Sequence, residues 1–420
     1  MSTETAPVPA RTPAAPGRPG RVGRLPRVLL AIAGGLVVLA AVRAVTGADD
    51  LTSNGAVRAA IQAAVPIGLA GLGGLFAERA GVVNIGLEGQ LILGTWFGAF
   101  ASVHWGPWAG VVAAIVGGGL GGLLHALATV TFGVDHIVSG VAITILAGGA
   151  TRYLSSLTFA EMDGGGVNQS PPGDELPRLS VPGLSALDGL EDRHWFLVSD
   201  LTGILRGALT EVSALTVIAV AIVPLAFWLL WRTGFGLRLR SVGENPRAAE
   251  SLGVAVYRFK YYGVVISGAL AGLGGGFLSI VASNIYREGQ TNGRGFIGLA
   301  AMIFGNWRPG GLAGGALLFG YTDALQLRRG SESVHALLLV VAVLLLAVAL
   351  WQATRRRYRP AGLGLALAVL SLVWFFATTT VPVPFVQFAP HLTTLVVLAL
   401  AAQRLRPPAA DGVPYQRGGG

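Results

Sequence analysis

Asn84 and Glu88 stand four residues apart in ERAGVVNIGLEGQLILG, residues 78–94, an otherwise apolar run. Hydrocarbon does not solvate a carboxylate, so Glu88 there needs a polar cavity or a partner. His136 and Ser139 in DHIVSG are the residue types of a base and a nucleophile. Three residues apart on one helix, they serve packing and hydrogen bonding better than hydrolysis. The other histidines (His104, His125, His194, His335 and His391) are scattered without a paired carboxylate motif, so the sequence supports no metal site. Cysteine is absent, which excludes disulfides, thiolate catalysis and thiolate metal ligation. Lys260 in YRFKYYG is the chain's one lysine, and no glycine-rich phosphate loop precedes it. A Walker A loop needs its lysine on the phosphates. No ATP-hydrolysing machinery and no cofactor motif are visible, so any ATP-driven work falls to a partner.

The elements that position these residues belong to a membrane. With 53% hydrophobic and 12% charged residues and a mean hydropathy of +0.64, the 420 residues lack the polar surface of a water-soluble globule. The 62 glycines are about twice the usual share. They recur at four-residue spacing (Gly117 with Gly121; Gly268, Gly272 and Gly276; Gly310 with Gly314), which predicts close helix packing. The net charge of +9 sits mainly in segments flanking apolar spans, an orientation signal and not a nucleic-acid face.

Residues 1–27 hold Pro7, Pro9, Pro13, Pro16 and Pro19 and predict a disordered cytoplasmic tail. Residues 28–42 are short for a span and resemble a signal-peptide core, but the long basic lead favours an uncleaved first helix. Further apolar stretches near 58–77, 85–104, 108–131, 136–157, 213–231, 261–283, 296–306, 311–327, 334–351, 361–380 and 390–403 predict an all-α polytopic protein. About 10–12 transmembrane helices fill residues 28–404. The stretch before Trp307 is too short, and Gly305, Pro309, Gly310 and Gly311 around it predict a broken or re-entrant helix. Arg232, Arg238, Arg240, Arg247, Arg258 and Lys260 mark the 232–260 connection as cytoplasmic, and Arg355, Arg356, Arg357 and Arg359 mark another. The acidic segment 159–211 is placed outside. Alternation then returns the tail, 405–420, to the inside.

Within the basic connection, Asn245 can cap a short helix, Pro246 suits its first position and Gly253 supplies a left-handed exit. Arg247, Ala248, Ala249, Glu250 and Leu252 give a small-residue face flanked by charge, fit for close approach of another protein; a solvated loop obeying the positive-inside rule is the competing reading.

Four ordered segments carry a family resemblance: FAERAGVVNIGLEGQLILG, GFGLRLRSVGENPRAAESLGVAVYRFKYYGVVISGALAGLGGGFLSI, GRGFIGLAAMIFGNWRPGG and the ending RPPAADGVPYQRG. The chain resembles the permease subunits of bacterial ABC importers, in the branch of branched-chain amino acid, ribose-type sugar and nucleoside permeases, and within it the nucleoside or simple-sugar subgroup. The resemblance implies a bacterial inner-membrane location with both termini cytoplasmic. It further implies a second, similar permease, cytosolic ATP-binding subunits and an extracytoplasmic substrate-binding lipoprotein. Gly243, Glu244, Asn245, Pro246, Arg247, Ala249 and Gly253 become the ATPase coupling loop. Asn84 and Glu88 are expected on one helical face. Gly81, Gly86 and Gly89 would permit a break aiming that face at the translocation path or an adjacent backbone end; a helix-tying role for Glu88 competes with solute contact. One departure from the family is the pair of apolar spans with RRRYRP between Gln326 and Pro390, expected to be an added hairpin, 334–380, that is peripheral.

Two rivals follow from the residues. An ion-coupled carrier would use intramembrane carboxylates, of which Glu88 and Asp323 are the main candidates, and would leave the capped cytoplasmic helix without a role. An intramembrane enzyme needs a nucleophile and base constellation that the chain does not offer.

Overall fold

A computed structural model describes residues 24–191, 193, 195–328, 330–382, 384–386 and 405–416. The expected tail before residue 24 and the apolar stretch 390–403 lie outside the described residues. Helices dominate: α1 (Arg24–Thr46), α2 (Asn54–Arg79), α3 (Leu87–Trp105), α4 (Pro107–Ala126), α5 (His136–Thr158), α6 (Asp188–Glu191), α7 (Val198–Leu209), α8 (Ala214–Arg232), α9 (Gly234–Glu244), α10 (Pro246–Ser251), α11 (Val256–Phe277), α12 (Arg294–Phe304), α13 (Pro309–Leu327), α14 (Gly330–Thr354) and α15 (Tyr358–Ala377). A two-residue antiparallel pair, Arg178–Leu179 with Val212–Ser213, is the exception. Both α4 and α11 end in a π-helical turn, residues 127–131 and 278–282.

Seven of the described helices are long and apolar enough to cross a membrane, fewer than the expected 10–12. The difference comes partly from α3 and α13, each 19 residues long but carrying Glu88 and Gln90 or Asp323 and Gln326. It comes also from α12, which at 11 residues is half a span. The expected short helix before Trp307 is therefore present. The first helix, expected over 28–42, begins within the described residues at Arg24.

The bundle centres on α2 and α11, the two candidate spans most enclosed by protein. Glycine makes this possible. A Cβ on Gly118 would lie 2.3 Å from Gly268 O, on Gly272 2.2 Å from Ala114 O, and on Gly275 2.1 Å from Leu91 O, so α4, α11 and α3 meet backbone to backbone. The four-residue spacing is legible in sequence, but its phase is corrected in two places. Gly118 and Gly122, not Gly117 and Gly121, face the backbone of α11, while Gly117 and Gly121 lie against the side chains of Phe97 and Leu93. Gly310 and Gly314 face open space, and their neighbours Gly311 and Gly315 pack against α12. Spacing defines a stripe on a helix without saying which of two adjacent stripes is inside.

The acidic segment 159–213 is not an open loop. Asp200 receives the buried guanidinium of Arg43 (Nε to Oδ1, 2.8 Å) and the hydroxyl of Thr52 (2.6 Å), and Glu191 accepts from the backbone and side chain of Asn54 at 3.0 Å. Its carboxylates fasten α6 and α7 over the starts of α2 and the end of α1. At the margin, α14 packs on α1 and α13 through Val42, Leu325, Ala336 and Val340, whereas α15 buries only Ala361 and Ala368 among its described residues.

Candidate functional site

Two chain breaks meet inside the bundle. The first follows α2. Gly81 takes the left-handed conformation (φ 77°), Gly81 N–H returns to Glu78 O at 2.8 Å and Val82 N–H to Ala77 O at 3.0 Å, closing the helix in a Schellman motif. Residues 82–86 then run non-helically until α3 opens at Leu87. Asn84 therefore lies before the helix that carries Glu88, which corrects the expected shared face: the four-residue rule needs continuous helix, and the glycine stop removes it.

Backbone outside helices must find partners within a membrane protein. Here they come from three other helices. Val83 N–H donates to His136 Nδ1 at 3.2 Å, and Val83 O pairs with His125 Nε2 at 3.0 Å. Because a carbonyl only accepts, Nε2 of His125 carries the proton, and Nδ1 pairs with the Ser139 hydroxyl at 2.9 Å. Lys260 Nζ donates to Gly81 O at 3.1 Å. Asn84, 0% exposed, donates to Gln90 Oε1 (2.9 Å) and Ser267 Oγ (2.8 Å) and accepts from Gln90 Nε2 at 3.3 Å. His136 and Ser139 thus serve hydrogen bonding, as the sequence indicated, but Ser139 pairs with His125 and not with His136. The other ring nitrogen of His125 is held by a carbonyl, not by an orienting carboxylate.

The second break joins α11 to α12. Its end is held by Glu88, 5% exposed, which accepts Gly293 N–H at 2.9 Å and Gly295 N–H at 2.7 Å. A carboxylate from one helix start thus caps another, satisfying amides that have no intrahelical partner. A Cβ on Gly295 would sit 2.6 Å from Glu88 N, so no side chain fits between them. The geometry favours the tying role for Glu88. Asp323, the other carboxylate expected to serve an ion-coupled carrier, is ion-paired with Arg294 at 2.6 Å.

Below both breaks lies the Arg-rich end. Asn245 accepts from Ala248 N–H at 3.0 Å, Pro246 opens α10, and Gly253 (φ 81°) ends it, with Val254 N–H returning to Ala249 O at 3.0 Å. The surface of α10 differs from the expectation. Ala249, 2% exposed, packs against Val242, Val256 and Tyr415, and a Cβ on Gly243 would lie 2.3 Å from Arg79 O. Gly243 and Ala249 face this chain's own body, so Ala249 is unavailable to a partner. The outward residues are Glu244, Asn245, Arg247, Ala248, Ser251, Gly253 and Leu252, the last 84% exposed.

Sequence reasoning missed the cluster beneath. Trp307 Nε1 donates to Glu78 Oε2 at 2.5 Å, and Arg79 donates to Trp307 O at 2.9 Å and reaches Glu244 at 3.5 Å. Asn306 and Trp307 hold left-handed angles, φ 53° and 52°, strained for a bulky residue unless neighbours fix it. Asp411 of the tail lies close enough to Glu78 for the two carboxyls to interact, and burial pushes the Asp411 carboxyl up to about 6 against the opposing pull of Lys260 and Arg79. No cluster of three or more histidine, aspartate or glutamate side chains suited to a metal occurs among the described residues.

A glycine-sutured helical bundle with seven described helices long and apolar enough to cross a membrane, two chain breaks and a capped helix at its Arg-rich end has the build of a multi-pass membrane protein. The chain belongs to the family described as branched-chain amino acid transport system / permease component, whose model matches residues 56–350. It is 32% identical over 362 residues to the guanosine ABC transporter permease protein NupQ of Bacillus subtilis, covering 84% of this chain and 94% of the relative. It is 32% identical to the nucleoside ABC transporter permease protein NupC of Lactococcus lactis, over 83% and 93%. It is 35% identical to the putative glucose ABC transporter permease protein TsgC13 of Haloferax volcanii, over 67% and 79%. No solved structure matches. The chain is a transport component of an ABC system and not an enzyme, which decides against the ion-coupled carrier and the intramembrane hydrolase.

Proposed function

We propose that the chain forms half of the translocation path of an importer for a nucleoside or a related small polar solute, in the bacterial inner membrane with both termini cytoplasmic. Its partners in this reading are a second, homologous permease, cytosolic ATP-binding subunits that engage α10, and an extracytoplasmic substrate-binding lipoprotein that meets the acidic end. One observation carries the solute class: similarity to guanosine and nucleoside permeases extends over more than nine-tenths of both relatives. The glucose relative, at comparable identity over less of its length, favours a simple sugar as the second reading. The capped α10, the arginines around it and the absence of a phosphate loop support the place of the ATP-binding subunit. The orientation rests on the same arginines. Asn84 and Glu88 take the role of helix-break residues that shape the path without touching the solute.

The test is uptake into proteoliposomes holding the complete set of subunits with ATP enclosed. Labelled guanosine should accumulate and unlabelled nucleosides should compete, with glucose ineffective. Competition by glucose and not by nucleosides would move the solute to the sugar class. Uptake that persists without ATP would refute the importer reading.

A further inference from the structure

Residues 405–416 cross the Arg-rich end and are fastened at separate points along their way. Arg406 N–H donates to Asn306 Oδ1 at 2.8 Å, on the strained turn between α12 and α13. Ala409 N–H donates to Glu244 Oε2 at 3.3 Å and Ala410 N–H to Gly243 O at 2.9 Å, both at the end of α9. The Asp411 carboxyl is buried beside Glu78 at the end of α2. Tyr415 gives its hydroxyl to Glu250 of α10, takes the Tyr257 hydroxyl on its carbonyl at 3.4 Å, and packs its ring with Val242, Ala249 and Val256.

These attachments converge on the first break. A Cβ on Gly81 would meet Ala410 O at 3.2 Å, Gly243 Cα at 3.3 Å and Lys260 Nζ at 3.5 Å; one on Gly412 would meet Val83 Cγ2 at 3.3 Å. Tail, α9 and break are therefore stacked in direct contact. By contrast α10 is six residues long and, besides the tail, leans mainly on α9 and α11 among the described residues. A short helix held along one side pivots when pushed, and its motion is lost unless a second attachment fixes its angle.

We infer that residues 405–416 are a positioning strap for the transport step, holding α10 and the α12–α13 turn in register with the Gly81–Gly86 break so that displacement of α10 displaces the break. This rests on the reading of α10 as the place where the ATP-binding subunit engages. The strap itself contacts no solute. It acts through α10, α9 and the break, so its loss should separate ATP hydrolysis from movement of solute and leave each subunit in place.

The experiment compares the complete reconstituted complex with one whose permease ends at Leu405. ATP-binding subunits should co-purify in normal amount and hydrolysis should stay within about twofold, while guanosine taken up per ATP hydrolysed should fall about tenfold, as expected for losing two or more partly buried hydrogen bonds. Tyr415→Phe, which keeps the ring, should lower the ratio about twofold to threefold, and adding Glu250→Gln should lower it little further because the two share one bond. If the shortened chain does not accumulate, Tyr415→Phe and Ala410→Pro, which removes the donor to Gly243, decide by the same ratio. An unchanged ratio overturns the strap, and so does loss of the ATP-binding subunit from the truncated complex, which would make the tail a docking surface. Failure of the intact complex to couple ATP to uptake would instead strike the reading of α10.

Discussion

The two breaks solve one problem by opposite means. At residues 81–86 the non-helical backbone is served by side chains arriving from elsewhere, His125 from α4, His136 from α5 and Lys260 from α11. At Gly293–Gly295 the backbone donates outward to a single carboxylate, Glu88. The first break is held by side chains from three helices, whereas the start of α12 rests on one charged acceptor. Distributed ties let a segment shift while most bonds persist; a single charged cap holds or is lost. The first break, which also touches α9 and the tail, is thereby joined to the Arg-rich end, and the start of α12 is joined to α3 through Glu88 alone.

The largest expected effect is therefore at Glu88. Glu88→Leu leaves the buried Gly295 amide and the part-buried Gly293 amide without a partner, at about 1–3 kcal/mol each, and should sharply reduce folded permease recovered from membranes. Glu88→Gln keeps one acceptor oxygen and should lose roughly half as much. His125→Leu, which strands Val83 O alone in the first break, should cost about 1–3 kcal/mol in thermal stability. The losses from Asn84→Leu and Glu88→Leu should add within about 0.5 kcal/mol, since their partners (Gln90 and Ser267 against Gly293 and Gly295) are disjoint. Strong non-additivity would merge the two breaks into one unit and dissolve the comparison.

Gly243→Ala drives a Cβ to 2.3 Å from Arg79 O and must move α9 off the end of α2. Overpacking of this kind costs about 1–3 kcal/mol, and the variant should lower uptake per ATP more than it lowers abundance. A smaller effect concerns pH. Asp411, raised to about 6 by burial from an ordinary value of 3.8, holds its proton more tightly when the tail is docked against Glu78, Lys260 and Arg79. A raised carboxyl binds more protons docked than free between those two values, so docking weakens as pH rises from about 4 to about 6 and changes little above. Amide protection of the tail should rise on acidification from pH 7 to 5, and Asp411→Asn should flatten the trend. Least of all, polar substitutions at outward positions of the basic α14–α15 turn, such as Arg356→Gln, should leave uptake unchanged.

Local chemistry made part of this legible. Asn245, Pro246 and Gly253 cap α10 through bonds that span five residues or fewer, and the glycines and proline around Trp307 announced a broken helix. What escaped were contacts between distant residues. His125 meets Val83 across 42 residues and Trp307 meets Glu78 across 229, and no pattern in a single sequence encodes such a pair. The shared face of Asn84 and Glu88 failed for a local reason that was present in the text: Gly81 stops α2 and Glu88 starts in the first turn of α3. The tail motif carries the family resemblance, but, proline-rich and polar, it holds no local signal that it docks.

The comparison is tested most directly by residue-resolved hydrogen exchange on the assembled permease. The account predicts slow exchange at Val83, Gly293 and Gly295 although Val83 lies in no helix, and predicts that Glu88→Gln speeds exchange at Gly293 and Gly295 while leaving Val83 slow. Fast exchange at Val83 in the unaltered protein, or release of all three amides together by Glu88→Gln, would contradict it.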